Sequence, residues 1–189
     1  SAKTVCMLLH CFPGLGLDRI EETETGYRIG AMVPLRALET HAGLAVLTQG
    51  AMAEALRHIV GVQFRNCATV GGSLWGRFGF SDVLTLFLAL DAAVTLHHAG
   101  EMPLADFAAL PRVTRDILTH VTLPKASQRA VYLSQRNIST DFPVLAVALS
   151  ERDGRYTCAV GARPMPAAAF ADEKGALAQG ITEDSARAF

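Results

Sequence analysis

Residues 81–92, SDVLTLFLALDA, constrain the fold more than any other stretch of this chain. Ser81 is a candidate N-cap, and the run after it is apolar nearly all round, which predicts a helix buried on most sides rather than along one stripe. Such a helix needs a core large enough to enclose it. The chain can supply one, because half of its 189 residues are hydrophobic and only 19% are charged, a composition that excludes disorder. The 17 Lys and Arg against 18 Asp and Glu leave a net charge of −1, so nothing electrostatic points to a nucleic-acid partner.

The flanking patterns predict an α+β chain in two parts. GYRIGAMV, 26–33, alternates as a strand, and Pro34 then opens a helical spacing through Leu35, Leu38 and Ala42. AMAEALRHIV, 51–60, sets Met52, Ala55, Leu56 and Ile59 on one helical face, and AVTLHH reads as a short strand. The pattern breaks at PRVTRD, 111–116. Beyond it ILTHVTL, AVYLSQ, FPVLAVALS and YTCAVGA are strand-like runs, the last two joined by a hairpin with Asp153-Gly154 at its tip. We therefore expect a mixed α and β domain over 1–112 and, over 113–189, a domain of three or four antiparallel strands followed by helix from Ala167 onward. ITEDSARAF predicts a helix starting at Thr182 that reaches Phe189 with no stop signal, the mark of a truncated C-terminus.

The other informative stretch is RNCATVGGSLWG, 65–76, where an apolar run is interrupted by Gly71-Gly72 and reaches the chain's single tryptophan, Trp75. Three readings compete. A nucleophile elbow needs G-x-S-x-G, and here the last glycine comes one place late. A tight turn between strands would use the glycines only for their backbone freedom. An anion cradle would point successive backbone N–H groups at a phosphate, with Thr69 and Ser73 adding hydroxyls and Asp82 accepting from a ribose hydroxyl.

The remaining candidates read as structural. Cysteines 6, 11, 67 and 158 contain no C-x-x-C pair, which predicts free thiols in a reducing compartment, and the C-x4-C spacing of Cys6 and Cys11 lacks the partner pair of an iron–sulfur motif. Val5 to Phe12 is too short to span a bilayer, so no membrane partner and a cytoplasmic location are expected. His97-His98 has no third ligand at a telling distance, and Glu21, Glu22 and Glu24 read as a solvated turn, so no metal site is predicted.

The run GVQFRNCATVGGSLW…SDVLTLFLALDAAVTL, 61–96, resembles the FAD-binding subunit of the molybdenum hydroxylases, the family of xanthine and carbon monoxide dehydrogenases. Arg65, Asn66, Ala68, Thr69, Gly71 and Gly72 fit that family's R-N-x-A-T-[IV]-G-G-N segment, and Asp82 with Leu90-Asp91-Ala92 fits its following helix. YRIGAMVPL, RDILTHVTLP, DFPVLAVAL and CAVGARPMPA extend the likeness over nearly the whole chain from about residue 14. The resemblance implies a truncated FAD-binding domain of that flavoprotein type, followed by its small antiparallel-sheet and helix C-terminal domain. It implies FAD held by Thr69, Val70, Gly71, Gly72, Ser73 and Asp82, with no catalytic residue required, because the flavin carries the chemistry. The partners implied are an iron–sulfur subunit and a molybdenum cofactor subunit, with electrons passing through the clusters to FAD and on to an acceptor.

The departures from the family pattern are local. SAKTVCMLLHCFPGLGL supplies no A-G-G-T-D-like loop, Ser73 stands where the family has asparagine, WGRFGF replaces a small polar stretch, and a lysine expected ahead of DFP has become Leu133 or Ser134. They raise a rival role, a flavin-free scaffold or assembly subunit of the same fold. They also predict exposed apolar surface and self-association into a homo-oligomer.

Overall fold

The computed structural model describes residues 14–125, 128–162, 165–177 and 180–189. Two antiparallel sheets form its frame. The first contains β1 (Ile20–Glu22), β2 (Gly26–Gly30), β3 (Ala93–Leu96), β4 (Gly100–Pro103) and β5 (Leu118–Pro124), in the order β1-β2-β5-β3-β4. The second is a meander of β6 (Gln128–Gln135), β7 (Leu145–Arg152), β8 (Arg155–Ala162) and β9 (Ala168–Ala171). Among the described residues, the helices α1 (Leu35–Thr40), α2 (Ala42–Leu47), α3 (Ala51–Arg57), α4 (Val62–Cys67), α5 (Val70–Trp75), α6 (Asp82–Ala89) and α7 (Leu104–Ala109) fill the space around them, while α8 (Glu183–Ala188) lies exposed near the end of the chain.

Helix α6 is the centre of the molecule. All eight of its residues are buried, as its unbroken apolar run predicts. It packs on β7, β8 and β9 from one side and on α3, α5 and α7 from the other. Ser81 caps it by accepting from the Leu84 N–H at 3.2 Å. Its far end is closed by the Ser150 hydroxyl, which donates from β7 to the carbonyl of Ala89. Both helix ends therefore find partners inside the core, where an orphaned backbone group would be costly.

Two expectations are corrected. ILTHVTL does not join the later strands: as β5 it pairs with both β2 and β3 in the middle of the first sheet. The fourth strand of the second sheet is instead β9, which pairs with β8 where the sequence predicts helix from Ala167 onward. The edge of β8 offers unpaired N–H and C=O groups, and ladder formation there outweighs the helical preference of an alanine-rich run. The hairpin at Asp153-Gly154 has left-handed φ at both residues, 52° and 76°, the geometry a two-residue hairpin turn requires. Thr182 caps α8 through a capping box with Ser185.

The register of the meander explains its outer surface. Tyr132, Ala148 and Ala159 stand opposite one another on the face toward α6. The alternate row, Val131, Leu149, Cys158 and Phe170, faces outward, beside Leu133 and Val147. Val131, Leu133, Leu145 and Phe170 are exposed there, an apolar face of the kind expected of a chain that lacks a covering lobe. Cys67 and Cys158 are free thiols; Cys6 and Cys11 lie outside the described residues. Among the described residues no helix is long and apolar enough to cross a membrane.

Candidate functional site

The glycine pair is neither an interstrand turn nor an elbow. It occupies the first turn of α5, a helix that two adjacent glycines disfavour by their backbone entropy alone. Docking compensates. Residues 68–71 run antiparallel to 31–35: Leu35 N–H donates to Ala68 O at 2.8 Å, Val70 N–H to Val33 O at 3.0 Å and Gly71 N–H to Ala31 O at 2.8 Å. The Thr69 hydroxyl then caps the helix by accepting from the Gly72 N–H at 3.2 Å.

The two glycines differ in purpose. A Cβ on Gly71 would stand 2.8 Å from the Cβ of Ala31 and 2.9 Å from its carbonyl oxygen, so the backbones touch only because no side chain intervenes. A Cβ on Gly72 would meet only the Thr69 hydroxyl, at 3.2 Å. Gly71 thus serves packing, and Gly72 keeps a surface open.

That surface is one wall of a cleft of about 490 Å³. Of the six residues singled out from the sequence, Thr69, Gly72, Ser73 and Asp82 line it, whereas Val70 and Gly71 lie buried behind it. Phe64, Phe78, Phe80 and Phe142 give it an aromatic rim, with Phe78 stacked on Phe80 at 5.1 Å and Phe142 at 4.6 Å from Phe80. Ile59 and Val60 complete the rim. They are held by Arg65, whose Nη1 donates to both their carbonyls at 3.0 and 3.2 Å while its other edge pairs with Glu39. The arginine of the motif therefore shapes the cleft from behind and does not enter it.

Asp82 sits on the cleft floor, only 5% exposed. It accepts from the Tyr132 hydroxyl and from Arg136 Nη2. Arg136 is fixed further by donating to the Asp141 carbonyl at 2.6 Å and to the Ser134 hydroxyl at 3.1 Å. Burial pushes the Asp82 carboxyl above its ordinary range, while Tyr132 and Arg136 oppose the shift. Burial, then the neighbouring Asp82 charge, pushes the Tyr132 phenol well up, so its proton stays in place. Sequence reasoning missed Tyr132 and Arg136, which stand 50 and 54 residues from their partner.

The chemistry of the lining fits a flavin in part. Aromatic faces suit a planar ring, and the Thr69 and Ser73 hydroxyls with the Gly72 edge suit a polyol chain. The cradle of free N–H groups is not there: those of residues 70 to 73 are all engaged within the protein, Ser73 N–H donating to Thr69 O at 3.0 Å. Among the described residues no group of three or more His, Cys, Asp or Glu is placed to hold a metal ion.

Residues 13–126 match the family profile described as the FAD binding domain in molybdopterin dehydrogenase. The uncharacterized protein YgfM of Escherichia coli K12 is 29% identical over 142 residues, 74% of this chain and 52% of its own length, so the chain spans about half of the curated relatives it matches. Among solved structures, a carbon monoxide dehydrogenase chain from Hydrogenophaga pseudoflava superposes with a TM-score of 0.75 at 22% identity, over 91% of this chain and 65% of that one. A chain of quinoline 2-oxidoreductase from Pseudomonas putida 86 gives 0.69 at 22% identity, over 80% and 57%. These two share the fold.

Proposed function

The chain belongs to the family of FAD binding domains of molybdopterin dehydrogenases, and from that premise we propose that it binds FAD as the electron-transfer subunit of a molybdenum hydroxylase-type oxidoreductase. The observation that carries the reading is the cleft itself, where the family's Thr69–Ser73 segment and an aromatic rim face each other. The flavin, when bound, supplies the ability to accept electrons and release them to an acceptor. The protein's part is to hold and screen it. Phe78, Phe80 and Phe142 offer faces for a ring and exclude water, Thr69 and Ser73 offer hydroxyls, and Gly72 leaves room. Arg136 brings a guanidinium to the same cleft, its charge balanced by Asp82.

The partners of this reading are an iron–sulfur subunit that delivers electrons and a molybdenum cofactor subunit that withdraws them from substrate, in the cytoplasm. The exposed apolar face of the second sheet supports a chain that works in contact with others, copies of itself included.

The test is an FAD titration of the purified chain followed by flavin fluorescence, with Gly72→Val beside it. Saturable quenching, weakened by about tenfold or more when a branched side chain fills the cleft, is expected. Quenching that Gly72→Val leaves unchanged would place the flavin elsewhere. No binding at all would leave this fold as a flavin-free scaffold or assembly subunit.

A further inference from the structure

The segment 77–80 has two sides. Phe78 and Phe80 face the cleft, whereas Arg77 and Gly79 line a second cavity of about 570 Å³ behind it. Its other walls are Leu88 of α6, one face of α7 with Leu110, and residues Met165–Ala169. The walls meet at Gly79, where a Cβ would lie 1.7 Å from the carbonyl oxygen of Met165.

The lining is almost entirely aliphatic. Among the described residues its only charged side chains are Arg77 and Arg112, and no acidic one lines it. Arg77 is 7% exposed, packed over Trp75 at 5.8 Å and Phe107 at 5.1 Å, with Nη1 donating to Leu110 O at 3.3 Å. Its Nε is the one buried side-chain nitrogen or oxygen among the described residues that lacks a hydrogen-bond partner. The contrast with the other enclosed arginines is direct: Arg65 is paired with Glu39 and Arg136 with Asp82. Burial, and then the charge of nearby Arg112, holds the Arg77 guanidinium below its ordinary value. Two like charges that share an apolar cavity without a counter-charge are a destabilising arrangement, and an anion relieves it.

We propose that this cavity is a second binding site, taking a small carboxylate with a short aliphatic body. The planar carboxylate supplies the counter-charge that the lining lacks beside the Arg77 guanidinium, while Arg112 closes over it from the mouth. Leu88, Leu110 and Met165 enclose the aliphatic part. Phosphate, which calls for many donors, finds only two cationic side chains among the described residues here. The proposal is independent of whether the cleft holds FAD.

Trp75 is the chain's single tryptophan and lies against Arg77, so it reports on the site directly. Titrating the purified chain with butyrate, without added FAD, is expected to change tryptophan fluorescence saturably, while 1-butanol at equal concentration does not. Arg112→Gln, at an exposed position, is expected to weaken the response by about tenfold and Arg77→Gln to remove it. Circular dichroism checks that the variants fold. If Arg77→Gln does not, Ala105→Phe, which fills the cavity from an exposed position on α7, takes its place. No saturable response to butyrate, or a response that both Arg112→Gln and Ala105→Phe leave intact, overturns the proposal. So does a response to inorganic phosphate or chloride with the same midpoint as butyrate.

Discussion

The two cavities on either side of residues 77–80 use the same residue type in opposite ways. In the cleft, Arg136 is paired with Asp82 and restrained by oxygens of Ser134 and Asp141, so the site presents hydroxyls and aromatic faces beside an arginine whose charge is already matched. Behind it, Arg77 and Arg112 have no carboxylate among the described residues of the lining and almost no polar company. A buried guanidinium is therefore not a signature of one kind of site. What decides its behaviour is whether the fold supplies the counter-charge or leaves it to a ligand.

The largest test of this contrast removes the counter-charge from the cleft. Asp82→Ala leaves Arg136 enclosed and unpaired, and we expect a loss of about 3–5 kcal/mol in urea unfolding. A loss below about 1 kcal/mol would mean that the charge is not balanced there, and the two cavities would cease to differ. Next in size is the glycine pair on the cleft wall. Gly71→Ala drives a methyl into Ala31 and should cost about 1–3 kcal/mol. Gly72→Ala should stay within about 1 kcal/mol, since its Cβ meets only a hydroxyl and alanine favours the helix. Equal losses would show that both glycines serve packing.

The acid limb of stability sharpens the comparison further, since Glu39 does for Arg65 what no described carboxylate does for Arg77. Burial alone would raise the Glu39 carboxyl, but hydrogen bonds from Arg65 and Arg36 outweigh it and bring it below the ordinary 4.5. The folded state then binds that proton less readily than the unfolded one. Its stabilisation is present above pH 4.5 and is lost as the pH falls through the lowered value. Acid titration of Glu39→Gln should lack that part of the decline. The smallest effect belongs to Arg112, which packs on Phe78 at 5.1 Å from the exposed side. Its replacement by alanine should change stability by about 1 kcal/mol or less in thermal melts.

How far the sequence announces these features depends on how local their causes are. The buried helix, its Ser81 cap and the Asp153-Gly154 hairpin are set by neighbours in the chain, and each is where its pattern predicts. Strand β9 is not, because an alanine-rich run takes its form from the free edge of β8. Nor is the sheet that β5 joins, which depends on partners at Gly26–Gly30 and Ala93–Leu96. The same distinction runs through the cleft. Thr69, Gly72 and Ser73 stand out in one short motif, whereas the partners of Asp82 come from β6 and the turn after it. Helix α5 is illegible for a related reason: its glycines argue against helix, and only docking against residues 31–35 secures it.

The enclosure of α6 has a consequence in time. A helix packed on every side, with one end capped by Ser81 and the other closed by Ser150, has no route to solvent short of breaking the core. Its amides should accordingly be among the slowest in the chain to exchange with deuterium. Asp82 opens that helix, so the cleft floor shares its persistence. The aromatic rim at Phe64, Phe78 and Phe142 is exposed instead, and its rings should rearrange many times while the floor stands still.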